Sequence, residues 1–223
     1  KPDFTDVKNN LGNVLNKLGK YKSALEYYDQ LSTLTSSSQV LECYYKLGEY
    51  SEFYKRLEVL TISNPTDRRV AATSAFVSHQ LKRRDPFPFC PAPLKLVSHS
   101  NLSRSVDNME EFVQQIISES ESTNLIWEPE NNTTVTGFQT DVETSIFEAG
   151  KACSYLQEIL KKEIVRYYAA FSSCDCLFIK SWPISYSLSG WYVRLLKGGH
   201  QGSHIHPSGW LSGVVYLKTV NDT

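Results

Sequence analysis

The chain has 223 residues, of which 41% are hydrophobic and 21% charged, proportions typical of a protein with a packed core. Its formal net charge is −1, so the electrostatic footprint of a nucleic-acid-binding or membrane-surface protein is absent. No apolar run approaches the roughly 20 residues that span a bilayer. The five cysteines are odd in number and scattered, which favours reduced thiols and a cytoplasmic location.

The first 85 residues carry the periodicity of short amphipathic helices. In VKNNLGNVLNKLGKYKSALEYYDQL, residues 7–31, apolar residues recur at helical spacing on either side of Gly19. Gly12 and Ala24 are small enough for two antiparallel helices to approach closely. The small and large packing residues fall where a tetratricopeptide repeat has them, so the segment resembles one such repeat: Leu11, Gly12, Gly19, Tyr21, Ala24 and Tyr28.

A weaker second copy of this pattern follows. YKLGEY at 45–50 repeats NKLGKY at 16–21, and NPTD at 64–67 predicts a turn with a new helix N-cap. Residues 66–83 have the spacing of a third helix. We therefore predict tetratricopeptide-like helical repeats over 1–85, which either bind a protein or peptide partner or brace the domain that follows.

A proline-rich stretch, RRDPFPFCPAPL at 83–94, predicts the domain boundary because no helix interior tolerates so many prolines. Beyond it, MEEFVQQIIS at 109–118 predicts a short helix. The Thr- and Asn-rich residues 119–141 predict a loop with short strands around Trp127 and Phe138.

The second domain, 86–223, is predicted to be helical first and β afterwards. Residues 145–171 have the spacing of the longest helix in the chain. Residues 176–223 are rich in β-branched and aromatic side chains, as strands are. The predicted fold class is therefore α+β.

The stretch GGHQGSHIHPSGWLSGVVYL, residues 198–217, holds three of the five histidines. Strands are predicted on both sides of it, at 191–196 and 211–217. His204 and His206 are two residues apart, so an extended backbone projects both imidazoles to one side, where they can share a cation such as iron or zinc. We interpret His200 as a turn residue. Histidines that decorate a surface turn without binding metal are the alternative.

The segments WYVRLLKGGHQGSHIHPSGWLSGVVYL, WEPENNTTVTGFQT and SWP together resemble the 2-oxoglutarate/Fe(II)-dependent oxygenases with an HIHP motif, which are often fused to tetratricopeptide repeats. The similarity covers roughly residues 87–223. It implies a double-stranded β-helix, a jelly-roll-like barrel whose strand ends hold Fe(II), with 2-oxoglutarate and O₂ at the open coordination positions. It also implies that His204 is the first metal ligand and that His206 stands where the family usually has an acid.

The family pattern includes a distal histidine and a basic residue for the 2-oxoglutarate carboxylate, and neither is found before Thr223. We therefore expect these residues to hold half of the iron site: either the full-length protein continues beyond Thr223, or this is a truncated and inactive form. Tyr192 and Arg194 share one face of the strand that leads to the histidines and are candidate contacts for the keto acid. No catalytic residue is expected beyond the metal ligands.

The sequence thus predicts a dioxygenase that hydroxylates an unknown substrate, with a partner-binding helical segment. Two alternatives stay open. One is a non-enzymatic, repeat-mediated interaction protein with a degenerate or incomplete barrel. The other is a cupin-like metal-binding fold with a different reaction.

Overall fold

The computed structural model describes residues 4–31, 36–130, 132–141 and 144–219. Within these residues, eight α-helices, three β-strands and three short 3₁₀ stretches follow one another. The helices and strands, in chain order, are α1 (Thr5–Lys17), α2 (Tyr21–Tyr28), α3 (Ser37–Leu47), α4 (Tyr50–Ser63), α5 (Arg68–Gln80), α6 (Met109–Glu121), β1 (Leu125–Trp127), β2 (Thr134–Thr140), α7 (Lys151–Phe171), α8 (Leu177–Lys180) and β3 (Val193–Gln201).

The chain divides into two compact units. The first comprises Lys1–Leu96 together with Cys174–Trp182, and the second comprises Val97–Ser173 together with Pro183–Thr223. The α+β class predicted from the sequence is confirmed, because helices and an antiparallel sheet are both present.

Gly19 and Gly48, the glycines of the two repeated segments, end their helices in the same way. Gly19 and Gly48 both adopt left-handed φ angles, +72° and +73°, which a residue without a Cβ reaches at little cost. After each glycine, the next N–H donates to a carbonyl five residues back, which satisfies a free carbonyl at the helix end. The segments 16–21 and 45–50, which are similar in sequence, therefore also have the same helix-ending structure.

Close helix packing at Gly12 is also confirmed. A Cβ on Gly12 would lie 2.5 Å from the ring of Tyr28, so only glycine leaves room for this tyrosine. Tyr28 is buried, and its hydroxyl donates to Asn13 (2.9 Å). The helix predicted at 66–83 is α5, and Asp67 caps it by accepting from two backbone N–H groups. The assignment of these helices to tetratricopeptide repeats stays a prediction.

The segment Cys174–Trp182 belongs to the first unit, whereas the sequence pattern placed it in the second domain. The N–H of Phe178 donates to the carbonyl of Phe89 (2.8 Å), and their rings pack edge to face with centroids 5.8 Å apart. Both rings are buried. These contacts join residues far apart in sequence, which periodicity alone does not register.

The second unit has a core between α6 and α7. Its buried residues are Phe112, Ile116, Ile146, Phe147, Ala152, Cys153, Leu156 and Ile159. Glu119, near the end of α6, accepts hydrogen bonds from the N–H groups of Ala152 (3.0 Å) and Cys153 (2.8 Å) at the start of α7. It thereby satisfies two of the free donors at that helix terminus.

The sheet of the second unit has the order β1-β2-β3 and is antiparallel throughout. The short strands predicted around Trp127 and Phe138 are confirmed as β1 and β2, where these two residues face each other in register. β3 pairs with β2 and contains a bulge: Val135 pairs with His200, but Gly137 pairs with Leu195.

Residues 211–217 do not form the strand that their sequence predicted. They have no regular secondary structure, and the side chains from 211 to 216 are exposed. The β-branched residues there had the composition of a strand, but no neighbouring strand in the part of the chain described supplies hydrogen-bonding partners. The double-stranded β-helix therefore stays a prediction. None of the described helices is long and apolar enough to cross a membrane.

Candidate metal centre

The predicted histidine pair lies directly after β3, in the segment that leaves the sheet. The β2–β3 pairing extends one step beyond the strand, since the N–H of Gly202 donates to the carbonyl of Thr133 (2.7 Å). The chain then turns, and the N–H of Gly209 donates to the carbonyl of His206 (3.1 Å). The sheet thus anchors one end of the segment that carries His204 and His206.

His204 and His206 face each other through their Nε2 atoms. These atoms are 3.0 Å apart, and the rings are nearly perpendicular, at 84°. Two imidazoles at adjacent positions of an octahedral ion, with metal–nitrogen bonds of about 2.1 Å, have their nitrogens about 3.0 Å apart. The spacing of the pair therefore fits two neighbouring ligands of one cation.

The environment of His204 shows which of its nitrogens carries the proton. Its Nδ1 lies 2.7 Å from the carbonyl oxygen of Gly202, which can only accept, so Nδ1 is the donor. In the neutral ring, Nε2 then bears the lone pair, and this is the atom that faces His206. A ligating histidine whose other nitrogen donates to a backbone carbonyl is a common arrangement in metal sites.

Thr133 provides a second contact to the same nitrogen. Its Oγ1 lies 3.2 Å from Nδ1 of His204 and donates to Oε1 of Gln201 (2.6 Å). Nε2 of Gln201 donates to Oγ1 of Thr134 (2.6 Å), which donates in turn to Oε1 of Gln139 (2.7 Å). Thr134 and Gln139 are buried, so this row of hydrogen bonds connects an exposed histidine to the interior of the unit.

His206 packs against an aromatic ring on its other side. The centroid of Trp191 is 5.3 Å from that of His206. Burial, and then the neighbouring His204, lower the pKa of His206 below its usual range. A lowered pKa favours the neutral imidazole, which is the form that binds metal.

Tyr192 and Arg194, the predicted contacts for the keto acid, lie together on one face of the chain, as expected. Both meet Glu121 of α6: the Tyr192 hydroxyl is 3.5 Å from its Oε1, and Arg194 donates to the same oxygen (3.0 Å). The guanidinium of Arg194 also lies over the ring of Phe138, 4.8 Å from its centroid. Burial, followed by the charge of Glu121, raises the pKa of Tyr192.

His200 differs in position from what the sequence indicated. It lies on β3, opposite Val135, and not in the turn. Within the ranges that the structure describes, no group of three or more histidine, cysteine or carboxylate side chains could hold a metal ion. The described residues therefore bring together two candidate ligands.

One family model matches the chain. It is described as "Putative 2OG-Fe(II) oxygenase" and covers residues 189–223, which include β3 and both facing histidines. The match supports an oxygenase-like domain and a link to Fe(II) and 2-oxoglutarate, over well under half of the chain. No curated protein and no solved structure matches.

Sequence reasoning missed Thr133, Gln201 and the carbonyl of Gly202. Thr133 stands in NNTTVTG, which by composition is a polar loop and carries no sign of a link to the histidines. Gln201 lies in the glycine-rich segment before the histidines, where its residue type gave no indication of a supporting role. Only the pairing of β2 with β3 shows that these residues support His204.

Proposed function

We propose that the second unit is an Fe(II)/2-oxoglutarate-dependent oxygenase domain in which His204 and His206 are two of the iron ligands. The observation that carries this proposal is the 3.0 Å separation of their Nε2 atoms, within the segment that resembles the oxygenase family. Bound Fe(II) with 2-oxoglutarate, and O₂ as co-substrate, would supply the oxidising chemistry for hydroxylation of a substrate C–H bond.

The chain's own residues would prepare the ligands and shape their surroundings. The Gly202 carbonyl keeps the proton of His204 on Nδ1, and burial disfavours the protonated form of His206. Trp191 covers one side of His206. In this proposal Arg194 or Tyr192 contacts the keto acid, which requires that the acid compete with Glu121 for these side chains.

Binding of Co²⁺, which has a visible spectrum in nitrogen sites, tests the ligand assignment directly. We expect one weak site per chain, because two imidazoles alone hold a divalent ion poorly. The variants His204→Ala and His206→Ala should each lose it. His200→Ala, a change at an exposed histidine on β3, is the matched control and should retain it. Unchanged Co²⁺ binding in both site variants would refute the assignment.

Turnover is a separate question. Succinate release from 2-oxoglutarate, with Fe(II) and ascorbate present and no further substrate, measures uncoupled oxygenase activity. We expect release by the full-length protein and none by its His204→Ala variant. The absence of release from the full-length protein would favour the alternative, an interaction protein with a degenerate site.

We also propose that the helical unit binds a protein or peptide partner. Five apolar residues at alternating spacings of three and four form a stripe along α1 and its ends, and each is between 39% and 64% exposed: Phe4, Val7, Leu11, Val14 and Leu18. Binding to a displayed peptide library tests this role. Val14→Asp should abolish binding, whereas Ile62→Asp, on the exposed face of α4, should not.

The location that we propose is cytoplasmic. All five cysteines are free thiols in the structure, and two of them are buried. This arrangement suits a reducing compartment. Labelling of the protein in fractionated cells would test the location.

A further inference from the structure

We propose that Thr133 is a positioning residue for His204: its hydroxyl, oriented by Gln201, accepts from Nδ1–H and so directs the Nε2 lone pair toward His206. This inference rests on the proposed function, in which His204 binds a divalent metal ion through Nε2. Thr133 and His204 are 71 residues apart in sequence and meet only because β2 pairs with β3.

The direction of each hydrogen bond follows from the groups that take part. Oε1 of Gln139 can only accept, so the proton of the Thr134 hydroxyl points to it (2.7 Å). The Thr134 oxygen is then an acceptor, and the group that faces it must be the NH₂ of Gln201 (2.6 Å). This contact orients the Gln201 amide.

The oriented amide of Gln201 determines where the hydroxyl proton of Thr133 points. Oε1 of Gln201 faces Thr133 and can only accept, so it takes the hydroxyl proton (2.6 Å). The Thr133 oxygen therefore meets His204 with a lone pair and accepts from Nδ1–H (3.2 Å). Every hydrogen bond of the row therefore has one possible direction. The opposite tautomer of His204 would leave both Thr133 and the Gly202 carbonyl without a donor.

Burial of Thr134 and Gln139 stabilises these hydrogen-bond directions. Gln139 is 2% exposed and Thr134 is 5% exposed, so an unpaired polar group at either position would lose its hydrogen bond without gaining one to water, which destabilises the fold. Reversing the row would create such unpaired groups. The interior of the unit thus acts together with the Gly202 carbonyl in selecting which nitrogen of an exposed histidine is available for metal.

Nitrogen-15 NMR of the neutral His204 ring in the metal-free chain reads the tautomer directly. We expect protonated Nδ1 and unprotonated Nε2 in the wild type and in Thr133→Ser, which keeps the hydroxyl. Thr133→Val, which has the same shape without the hydroxyl, leaves the Gly202 carbonyl as the remaining acceptor of Nδ1–H. It should raise the fraction of the Nε2–H tautomer above that of the wild type and lower Co²⁺ affinity about tenfold. Thr144→Val, at an exposed threonine outside the row, is the matched control and should change neither readout.

A second variant protects the test against a folding defect in Thr133→Val. Gln201→Met leaves Thr133 intact but removes its acceptor, so the hydroxyl can donate to Nδ1, and the tautomer should change in the same direction. The inference is overturned if both variants fold, by circular dichroism, and keep the wild-type tautomer. If the wild type binds no Co²⁺, the proposed function fails, and the tautomer comparison alone decides this inference.

Discussion

Replacement of Gly199 by alanine would place a methyl group in the bulge where β3 departs from the register of β2. A Cβ at this position would lie 3.0 Å from the carbonyl oxygen of Leu196 and 3.1 Å from that of Val135, and closer still to that of Thr136. Ordinary contacts begin at 3.4 Å. All three neighbours are backbone atoms, so no side chain can rotate away to make room.

The cost follows from how this clash can be relieved. The two strands must separate locally, which strains the backbone and lengthens hydrogen bonds next to the bulge. Overpacking costs about 1–3 kcal/mol, and each weakened hydrogen bond adds about 1 kcal/mol. We therefore expect Gly199→Ala to lower the free energy of unfolding of the second unit by about 3 kcal/mol. The Nε2 atoms of the histidine pair should also lose their spacing.

Urea unfolding followed by tryptophan fluorescence measures this loss, because three of the four tryptophans lie in the second unit. Gly198→Ala is the matched control: its Cβ would meet nothing within 4 Å, but its φ of +81° disfavours alanine by about 1 kcal/mol. We expect Gly198→Ala to retain Co²⁺ binding and Gly199→Ala to lose it. Equal destabilisation by the two variants, with metal binding intact, would refute the argument.

The carboxylates of Glu119 and Asp85 should make the stability of the protein depend on pH in opposite directions. Burial raises the pKa of Glu119, but the N–H groups at the start of α7 outweigh burial and hold the pKa below its usual value of 4.5. Glu119→Gln should therefore lower the free energy of unfolding by about 1 kcal/mol at neutral pH. This difference from wild type should disappear as the pH falls through the folded-state pKa of Glu119. Glu130→Gln, in the loop between β1 and β2, is the control, and a loss of stability independent of pH would contradict this account. Burial raises the pKa of Asp85 above its usual 3.8, although hydrogen bonds from Ser74 and a backbone N–H oppose the shift. The proton on Asp85 thus stabilises the fold fully below pH 3.8, and this contribution is lost as the pH rises through the folded-state pKa. Relative to wild type, Asp85→Asn should gain stability between acid and neutral pH in thermal unfolding, and a relative loss would contradict the assignment.

Much of the helical structure was predictable from the sequence because its causes are local. The turns at Gly19 and Gly48 and the N-cap at Asp67 depend on interactions within a few residues, and each lies where the sequence indicated. The histidine pair was predictable for the same reason. Two residues of spacing in an extended chain bring His204 and His206 to one side, and their Nε2 atoms meet at 3.0 Å.

The strand predicted at 211–217 shows the limit of such reasoning. A strand exists only where another strand offers hydrogen-bonding partners, and composition does not say whether a partner is present. Val214 and Tyr216 have suitable side chains, yet they are 74% and 78% exposed in a segment without regular structure.

By itself, the sequence determined the positions of most helices, though not of α8 (Leu177–Lys180), which lies where strands were predicted. It also determined the α+β class, the facing histidines and the resemblance to iron oxygenases. The tertiary structure alone decided that Thr133 and Gln201 support His204, that Glu121 holds Tyr192 and Arg194, and that Glu119 caps α7. Each of these contacts joins residues more than 30 positions apart. Short-range patterns record what a residue does within its own helix or strand, whereas such contacts depend on how β2, β3, α6 and α7 come together.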